Sequence, residues 1–352
     1  MTCSHSHLAQ PLSSSLDAAP KIAEMIPSQP WVVYSVSGGR DSSAAIAATT
    51  PILDALGHPR EKRMIMHADL GRSEWRSTHQ HVMKLAAHFG LPASVVRHRT
   101  HDMVSRWDRR GELGRDRWAR GETVNLIGPW SSASLRYCTS EMKIHVMSKA
   151  KRTFDAPVIT VMGIRREESR GRSLTPFEAS DSGMARYGRQ DCMIWNPVAS
   201  WSADEVFAIH RRQAIPLHEA YGLGATRLSC NFCVLASIGD LSVASMQSQN
   251  AETYLALVEM EARYGFSFQP SRWLADVRPG ILGTNLAARI ANAKQAAHSR
   301  RQIEAAYPES FRKRRYGELT NGDWNAIASA RREIARLHDF TNFLDDPRSN
   351  FA

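Results

Sequence analysis

The sequence has few cysteines and no long apolar run. Five cysteines among 352 residues are too few for a disulfide-rich secreted scaffold, and they favour a reducing, cytoplasmic location. No apolar stretch approaches the ~20 residues that a membrane-spanning helix needs. Residues 1–29 are polar and Ser-rich, without the apolar core of a signal peptide. We therefore predict a flexible leader over residues 1–29.

Positive charge is in excess in this sequence. The chain has 45 Lys and Arg against 35 Asp and Glu, a net charge of +10, which favours a polyanionic partner such as DNA, RNA or a nucleotide. Basic residues concentrate in stretches 97–120, 165–189 and 289–336. The last stretch fits solvated helix faces as well as it fits a nucleic-acid surface. The chain is long enough for one large domain or two modest ones.

A glycine-rich turn near the amino end is the clearest local signal. Residues 31–36 have the β-branched and aromatic composition of a buried strand, and residues 44–48 are strong helix formers. Between them lies Ser37-Gly38-Gly39-Arg40-Asp41-Ser42-Ser43. Glycines allow close backbone approach, and free N–H groups at a helix start favour an anion, most often phosphate. The alternative is an ordinary turn with Gly for geometry and Ser for capping.

The rest of the first 240 residues alternates between strand and helix patterns. We predict strands at 64–68, 94–97 and 158–162, helices at 74–90, which Gly90 ends, and at 140–153, and a polar loop or helix over 102–135. This alternation predicts an α/β fold with a parallel sheet and helices on both faces. Ligands of such sheets bind beyond the carboxyl ends of the strands, where the glycine turn, Asp69 and Gly163 would meet.

Several segments resemble one superfamily. The turn at 37–42 resembles the SGGxDS pyrophosphate loop (PP-loop) of the adenine nucleotide α-hydrolases, with Arg40 where Lys is common. Segments 67–75, 163–170 and 195–206 resemble motifs of the phosphoadenosine phosphosulfate (PAPS) reductase-like family. Segment 227–233 resembles the R-x-x-C-x-x-C motif of its phage, phosphorothioation (DndC-like) and defence-associated branches. The chain is identified as a member of this family over residues 31–240, in a branch that includes type IV CRISPR-associated CysH-like proteins.

The resemblance implies a Rossmann-like PP-loop domain over residues 30–240, followed by a helical, basic region over 241–352. It implies an ATP pyrophosphatase that forms AMP and pyrophosphate with Mg²⁺ and activates an acceptor by adenylation. The acceptor would be a nucleic acid that receives sulfur or another modification, with a cysteine desulfurase or sulfur carrier as a partner.

Two alternatives stay open. A sulfonucleotide reductase is disfavoured, because true reductases carry a cysteine in a C-terminal E-C-G-[IL]-H tail and this chain has none after Cys233. A non-catalytic module that binds nucleotide or nucleic acid within a defence complex is the other.

The motif positions give the candidate site residues. The catalytic candidates are Arg40, Asp41, Arg165 and Arg170. The nucleotide-binding candidates are Ser37, Gly38, Gly39, Arg40, Asp41, Ser42, Ser43, His67, Asp69, Gly71, Gly163, Arg165 and Arg166.

Some of these candidates have simpler interpretations. Asp41 could hold Mg²⁺ or cap the helix, and both roles are compatible. Asp69 could accept a hydrogen bond from ribose or adenine, help to hold a metal, or stabilise a turn. The guanidinium groups near Gly163 suit an oxyanion, but they could instead be surface arginines paired with Glu167 and Glu168.

The cysteines suggest a metal site. Cys138, Cys230 and Cys233 could hold a [4Fe–4S] cluster with one open iron, as in certain PP-loop tRNA thiolation enzymes, with Cys192 as a candidate fourth ligand. Zinc is the rival metal, since sites with Cys and His are common, and His210 or His218 could complete such a site. The remaining alternative is that these are reduced structural thiols.

Overall fold

The computed structural model describes residues 15–228 and 230–351, and the chain divides into two compact units. The first unit comprises Met1–Thr100 and Tyr137–Asn231, and the second comprises His101–Arg136 and Phe232–Ala352. The segment between residues 100 and 137 thus groups with the carboxyl-terminal residues. The sequence-based boundary at residue 240 places the same segment in the PP-loop domain.

The first unit is built on one six-stranded sheet. Its strands are β1 (Trp31–Ser35), β2 (Arg63–Asp69), β3 (Ala93–Arg97), β4 (Val158–Met162), β5 (Glu178–Ser180) and β6 (Met193–Trp195). The spatial order is β3-β2-β1-β4-β6-β5, and β5 alone runs antiparallel to its neighbour. The predicted parallel α/β sheet is therefore confirmed, because each apolar run forms a strand at its predicted place.

Helices account for most of the remaining regular structure. They are α1 (Pro20–Met25), α2 (Arg40–Ala55), α3 (Thr78–Phe89), α4 (Met103–Ala119), α5 (Tyr137–Thr139), α6 (Val146–Lys151), α7 (Ser182–Ala185), α8 (Ala203–Arg212), α9 (Glu219–Gly222), α10 (Ile238–Met246), α11 (Ala251–Tyr264), α12 (Thr284–Ala305), α13 (Glu309–Arg312) and α14 (Asn321–Leu337). Gly90 ends α3 in the left-handed conformation with φ +63°, as predicted. None of the described helices has the length and apolar character needed to span a membrane.

Two segments differ from the sequence-based expectation. Residues 20–25 of the predicted leader form α1, and Ile22 is fully buried in the core beside the sheet. Residues 1–14 of that leader and Cys3 lie outside the described residues. Between α5 and α6 the chain forms a π-helical stretch, Ser140–His145, instead of a continuous α-helix. Such insertions are rare and often lie at functional sites.

The core of the first unit covers both faces of the sheet. One cluster packs α2 and α8 against the sheet through Ile46, Val206 and Trp195. A second, smaller cluster is formed by other residues of the strands together with their neighbours, and it includes Val33 and Cys192. The second unit has its own aromatic core, in which Trp118 of α4 packs with side chains of 307–335.

Candidate functional site

The glycine turn joins β1 to α2 at the carboxyl edge of the sheet. Gly38 has φ +79°, a conformation that side chains other than glycine rarely adopt. Gly39 is the N-cap of α2 and makes no side-chain cap, while the hydroxyl of Tyr221 accepts the N–H of Arg40, the first residue of the helix. The first N–H groups of α2 have no partners within the helix and carry its positive dipole end. The turn therefore has the backbone geometry of an anion site.

Serine hydroxyls shape this turn from inside. Ser42 Oγ donates to the Gly39 carbonyl at 2.8 Å, and Ser43 Oγ lies 3.1 Å from the Arg40 carbonyl. His210 Nε2 is 3.1 Å from Ser43 Oγ and 2.9 Å from the same Arg40 carbonyl. His210 is thus a buried support of the turn.

A buried ion pair joins α2 to the segment after β4. Arg165 Nε lies 2.6 Å from Asp41 Oδ1, and its Nη1 lies 2.7 Å from Glu167 Oε2. The Arg165 side chain is only 4% exposed. Burial alone would lower the pKa of Arg165, but the charges of Asp41, Glu168 and Glu167 together raise it. The guanidinium therefore stays charged beside the turn.

Gly163 brings the end of β4 directly against the start of α2. A Cβ on Gly163 would lie 2.3 Å from the Asp41 carbonyl oxygen and 2.4 Å from Ser42 N. Real Cβ atoms do not approach backbone atoms so closely. Glycine at position 163 therefore allows the start of α2 and the segment that carries Arg165 to pack this closely.

Other predicted residues have local roles. Arg166 donates to the Thr175 carbonyl at 2.8 Å and stacks on Phe177, and Arg170 is exposed. The structure therefore brings Arg165 to the turn but not Arg166. Asp69 Oδ1 accepts the Gly71 N–H at 2.7 Å, which is the turn role that the sequence left open.

A cavity of about 150 Å³ begins at the turn and extends along one face of the sheet. Ser37 belongs both to the turn and to the cavity wall. The wall also includes Val36, Ala68, Met147, Met162 and Ile194. An apolar cavity of roughly this volume accommodates one aromatic ring.

His67 and Glu74 form one polar corner of this cavity. His67 is 2% exposed, with Nδ1 at 2.8 Å from the Val36 carbonyl and Nε2 at 2.9 Å from Glu74 Oε2. Burial lowers the pKa of His67, but the hydrogen bond and charge of Glu74 outweigh it, and the net pKa is raised. Both ring nitrogens face oxygen acceptors, an arrangement that suits the imidazolium form.

A buried ion pair between Lys151 and Asp181 forms another part of the cavity wall. Lys151 Nζ is 2.6 Å from both Asp181 Oδ2 and Thr160 Oγ1. Asp181 Oδ1 also accepts the N–H groups of Gly183 and Met184 at the start of α7. These bonds satisfy the buried charges and fix the cavity wall.

Residues 221–228, which we call the covering segment, lie over the glycine turn. Tyr221 accepts the Arg40 N–H at 3.2 Å, and Arg40 Nη1 donates to the Thr226 carbonyl at 3.2 Å. The Arg40 guanidinium stacks on Phe207, 4.5 Å from the ring centroid. A Cβ on Gly38 would lie 3.3 Å from Leu228 Cδ2. The Arg40 side chain therefore points toward the covering segment.

Buried histidines fill the space behind the turn. His218 Nε2 lies 3.2 Å from Ser77 Oγ, and its ring contacts that of His81, 5.1 Å between centroids. A Cβ on Gly38 would also lie 3.4 Å from His81 Cδ2. His218 Nδ1 accepts the Ala220 N–H, so this histidine anchors α9.

The proposed cluster ligands form no recognisable metal site among the described residues. Within residues 15–228 and 230–351, no group of three or more His, Cys, Asp or Glu side chains could hold a metal ion. Cys192 is 1% exposed in the core, and burial raises the pKa of its thiol, which disfavours a thiolate ligand. Cys138 Sγ lies 4.0 Å from Thr139 Oγ1, and Cys233 Sγ accepts the Leu235 N–H at 3.4 Å. A [4Fe–4S] or zinc site built from Cys138, Cys230 and Cys233 therefore stays a prediction.

The sequence interpretation did not identify several site residues. Tyr221, Phe207, Glu74, Lys151 and Asp181 were not among the candidates, although Glu74 lies within a recognised motif. No motif marks the others, because they reach the site only through the crossover connections of the sheet.

Three comparisons relate this chain to known proteins. A family model described as "Phosphoadenosine phosphosulfate reductase domain" matches residues 31–242, more than half of the chain. A protein of Escherichia phage 186, described as "Uncharacterized 37.8 kDa protein in gpa 5'region", is 26% identical over 120 residues. That match covers 33% of this chain and 34% of the phage protein, so it spans about a third of the relative's length.

Two solved structures are similar at low identity. PAPS reductase from Candida auris, in its phosphate complex, is 13% identical with a TM-score of 0.39, covering 65% of this chain and 97% of that one. The NH3-dependent NAD synthetase from Campylobacter jejuni, in complex with nitrate, is 14% identical with a TM-score of 0.36. That match covers 85% of this chain and 97% of the synthetase.

Proposed function

Because the chain belongs to the phosphoadenosine phosphosulfate reductase domain family, we propose that its site cleaves ATP between the α and β phosphates. The observation that carries this proposal is the continuity of the glycine turn with the cavity through Ser37. The helix start supplies N–H donors for phosphates, and the cavity has room for an aromatic base. One nucleotide could place its phosphates at the helix start and its base in the cavity.

Charge in the site supports phosphoryl chemistry. Arg165 is buried, charged and tied to the first turn of α2 by Asp41. A fixed cation near departing phosphates stabilises the charge that develops in the transition state. Arg40 and Arg170 belong to the proposed catalytic set by motif resemblance alone, since Arg40 Nη1 donates to the Thr226 carbonyl and Arg170 is exposed.

Mg²⁺ fits the same site. Asp41 Oδ1 is engaged by Arg165, and Oδ2 accepts no hydrogen bond from a described residue. Mg²⁺ is usually held by one or two carboxylates together with substrate phosphates, so a single carboxylate is a sufficient protein contribution. When bound, Mg²⁺ would neutralise charge on the leaving pyrophosphate.

The acceptor is proposed to be a nucleic acid. Its oxygen would attack the α-phosphorus, forming an acceptor–AMP bond and releasing pyrophosphate. The outer sulfur of a persulfide on a desulfurase or sulfur carrier would then displace AMP, which leaves with that oxygen, and a thiol would reduce the resulting disulfide to release the donor. The net charge of +10 favours a polyanionic acceptor. A setting in a CRISPR-associated or other defence system belongs to the same proposal, and segment 227–233 supports it by resemblance alone.

The test uses ATP labelled at the α-phosphate, with Mg²⁺ and with or without DNA or RNA. Wild-type protein is expected to form labelled AMP, and Asp41→Ala is expected to lose it. Asp204→Ala is the matched control, because Asp204 also lies in the first turn of a helix but is exposed. Equal AMP from wild type and Asp41→Ala, or none from the wild type, would contradict the proposal.

The family model also keeps a sulfonucleotide reductase as a second candidate. This chain has no cysteine after Cys233 to act as the carboxyl-terminal nucleophile. Sulfite release from PAPS in the presence of thioredoxin would nevertheless establish reduction.

A further inference from the structure

The phenol of Tyr221 lies directly on the glycine turn. Its oxygen accepts the Arg40 N–H at 3.2 Å and the Leu228 N–H at 3.3 Å. It lies 3.8 Å from the position that a Cβ on Gly39 would occupy. This oxygen thus occupies the first N–H group of α2, that of Arg40, and lies beside the helix start that the proposed function assigns to phosphate.

The hydrogen bonds of this hydroxyl leave its proton unused. A phenol oxygen can accept hydrogen bonds and donates one proton. At Tyr221 both observed bonds come from backbone N–H groups, so the oxygen is the acceptor in each. Within the described part of the chain, no acceptor receives the hydroxyl proton.

The surroundings hold the ring in place. Its own helix α9 is anchored by His218, whose Nδ1 accepts the Ala220 N–H and whose Nε2 lies 3.3 Å from Thr78 Oγ1. The Arg40 guanidinium lies over the Tyr221 ring, 5.5 Å from its centroid. A hydroxyl held in this way is pre-positioned as a donor.

We propose that Tyr221 is a phosphate-contacting residue, whose hydroxyl donates its proton to a terminal phosphate oxygen of the bound nucleotide. The proposal rests on the proposed function, because it needs phosphates on the glycine turn. The two backbone N–H groups orient the oxygen, and a charged phosphate oxygen is a stronger acceptor than a neutral one. Tyr221 would thereby discriminate nucleoside polyphosphates from ligands without phosphate.

The test compares Tyr221→Phe with wild type in calorimetric titrations of ATP, inorganic pyrophosphate and adenosine. Loss of a hydrogen bond to a charged group weakens binding by about 10- to 100-fold. We expect that loss for ATP and pyrophosphate and none for adenosine. Tyr187→Phe is the control, because among the described residues the Tyr187 hydroxyl in the same unit has one hydrogen-bond partner, the exposed His145 Nδ1 at 3.3 Å.

The outcomes separate the two proposals. A wild type that binds neither ATP nor pyrophosphate would overturn both. Wild-type binding with an unchanged Tyr221→Phe variant would overturn only the role of Tyr221. If Tyr221→Phe weakened the binding of adenosine and of pyrophosphate equally, the hydroxyl would act only through the fold of the turn. That result would also overturn the role of Tyr221.

A measurement on the wild type does not depend on whether the variant folds. The chain has eight tyrosines, which can be labelled with ¹³C at Cζ and observed by NMR. Pyrophosphate is expected to shift one Cζ resonance strongly, because one hydroxyl gains a charged acceptor. A spectrum that pyrophosphate leaves unchanged would contradict the proposal.

Discussion

Gly163→Ala is expected to disrupt the site by steric pressure alone. The added methyl group would lie 2.3 Å from the Asp41 carbonyl oxygen and 2.4 Å from both Asp41 C and Ser42 N. All three are backbone atoms, so no side-chain rotation relieves the clash, and β4 and α2 must separate. Overpacking typically destabilises by 1–3 kcal/mol, and we expect the upper end, about 3 kcal/mol.

Thermal unfolding and nucleotide titration measure this effect together. For a unit of this size, about 3 kcal/mol corresponds to a fall in Tm of roughly 6–12 °C. ATP affinity should fall as well, because the separation moves the first N–H groups of α2. Gly280→Ala is the control, since a Cβ at Gly280 meets no atom within 4 Å. If Gly163→Ala kept both the Tm and the ATP affinity of wild type, the packing argument would be refuted.

Two further predictions concern pH. Because the pKa of His67 is raised in the fold, its pair with Glu74 contributes fully below roughly pH 6.5 and is lost as pH rises through the raised pKa. Glu74→Gln should therefore destabilise by about 3 kcal/mol at pH 6 and by less at pH 9, and equal losses in Tm at both would contradict this. Burial lowers the pKa of His81 and of His218 to about 4, so stability should fall between roughly pH 6.5 and 4, by on the order of 3 kcal/mol for each histidine. His81→Leu should reduce the fall measured by thermal unfolding, and an unchanged pH profile would exclude this cause.

The strands and the glycine turn were predictable because their signals are local. Residues 158–162 form β4 because a run of β-branched residues fits a sheet buried on both faces. Gly38 has positive φ because the turn requires it. Such features depend on backbone preferences over a few residues, which the sequence displays directly.

The partners of the turn were not predictable from local pattern. His210 reaches Arg40 across 170 positions and Tyr221 reaches it across 181. Neither contact has a periodicity or motif, because each is set by how the crossovers return the chain to one edge of the sheet. Arg166 shows the converse, since its motif position suggested an anion contact and its side chain instead packs on Phe177.

The second unit is built from two separate stretches of the chain, which limits where the protein can be truncated. Its hydrophobic core combines Trp118 with Tyr307, Phe311 and Trp324. Trp118 precedes Tyr137–Asn231 of the first unit in the chain, and the other three residues follow it. Deletion after residue 240 would leave the indole of Trp118 without these neighbours. Expression of 241–352 alone would lack the indole instead, so neither fragment would be a self-sufficient folding unit.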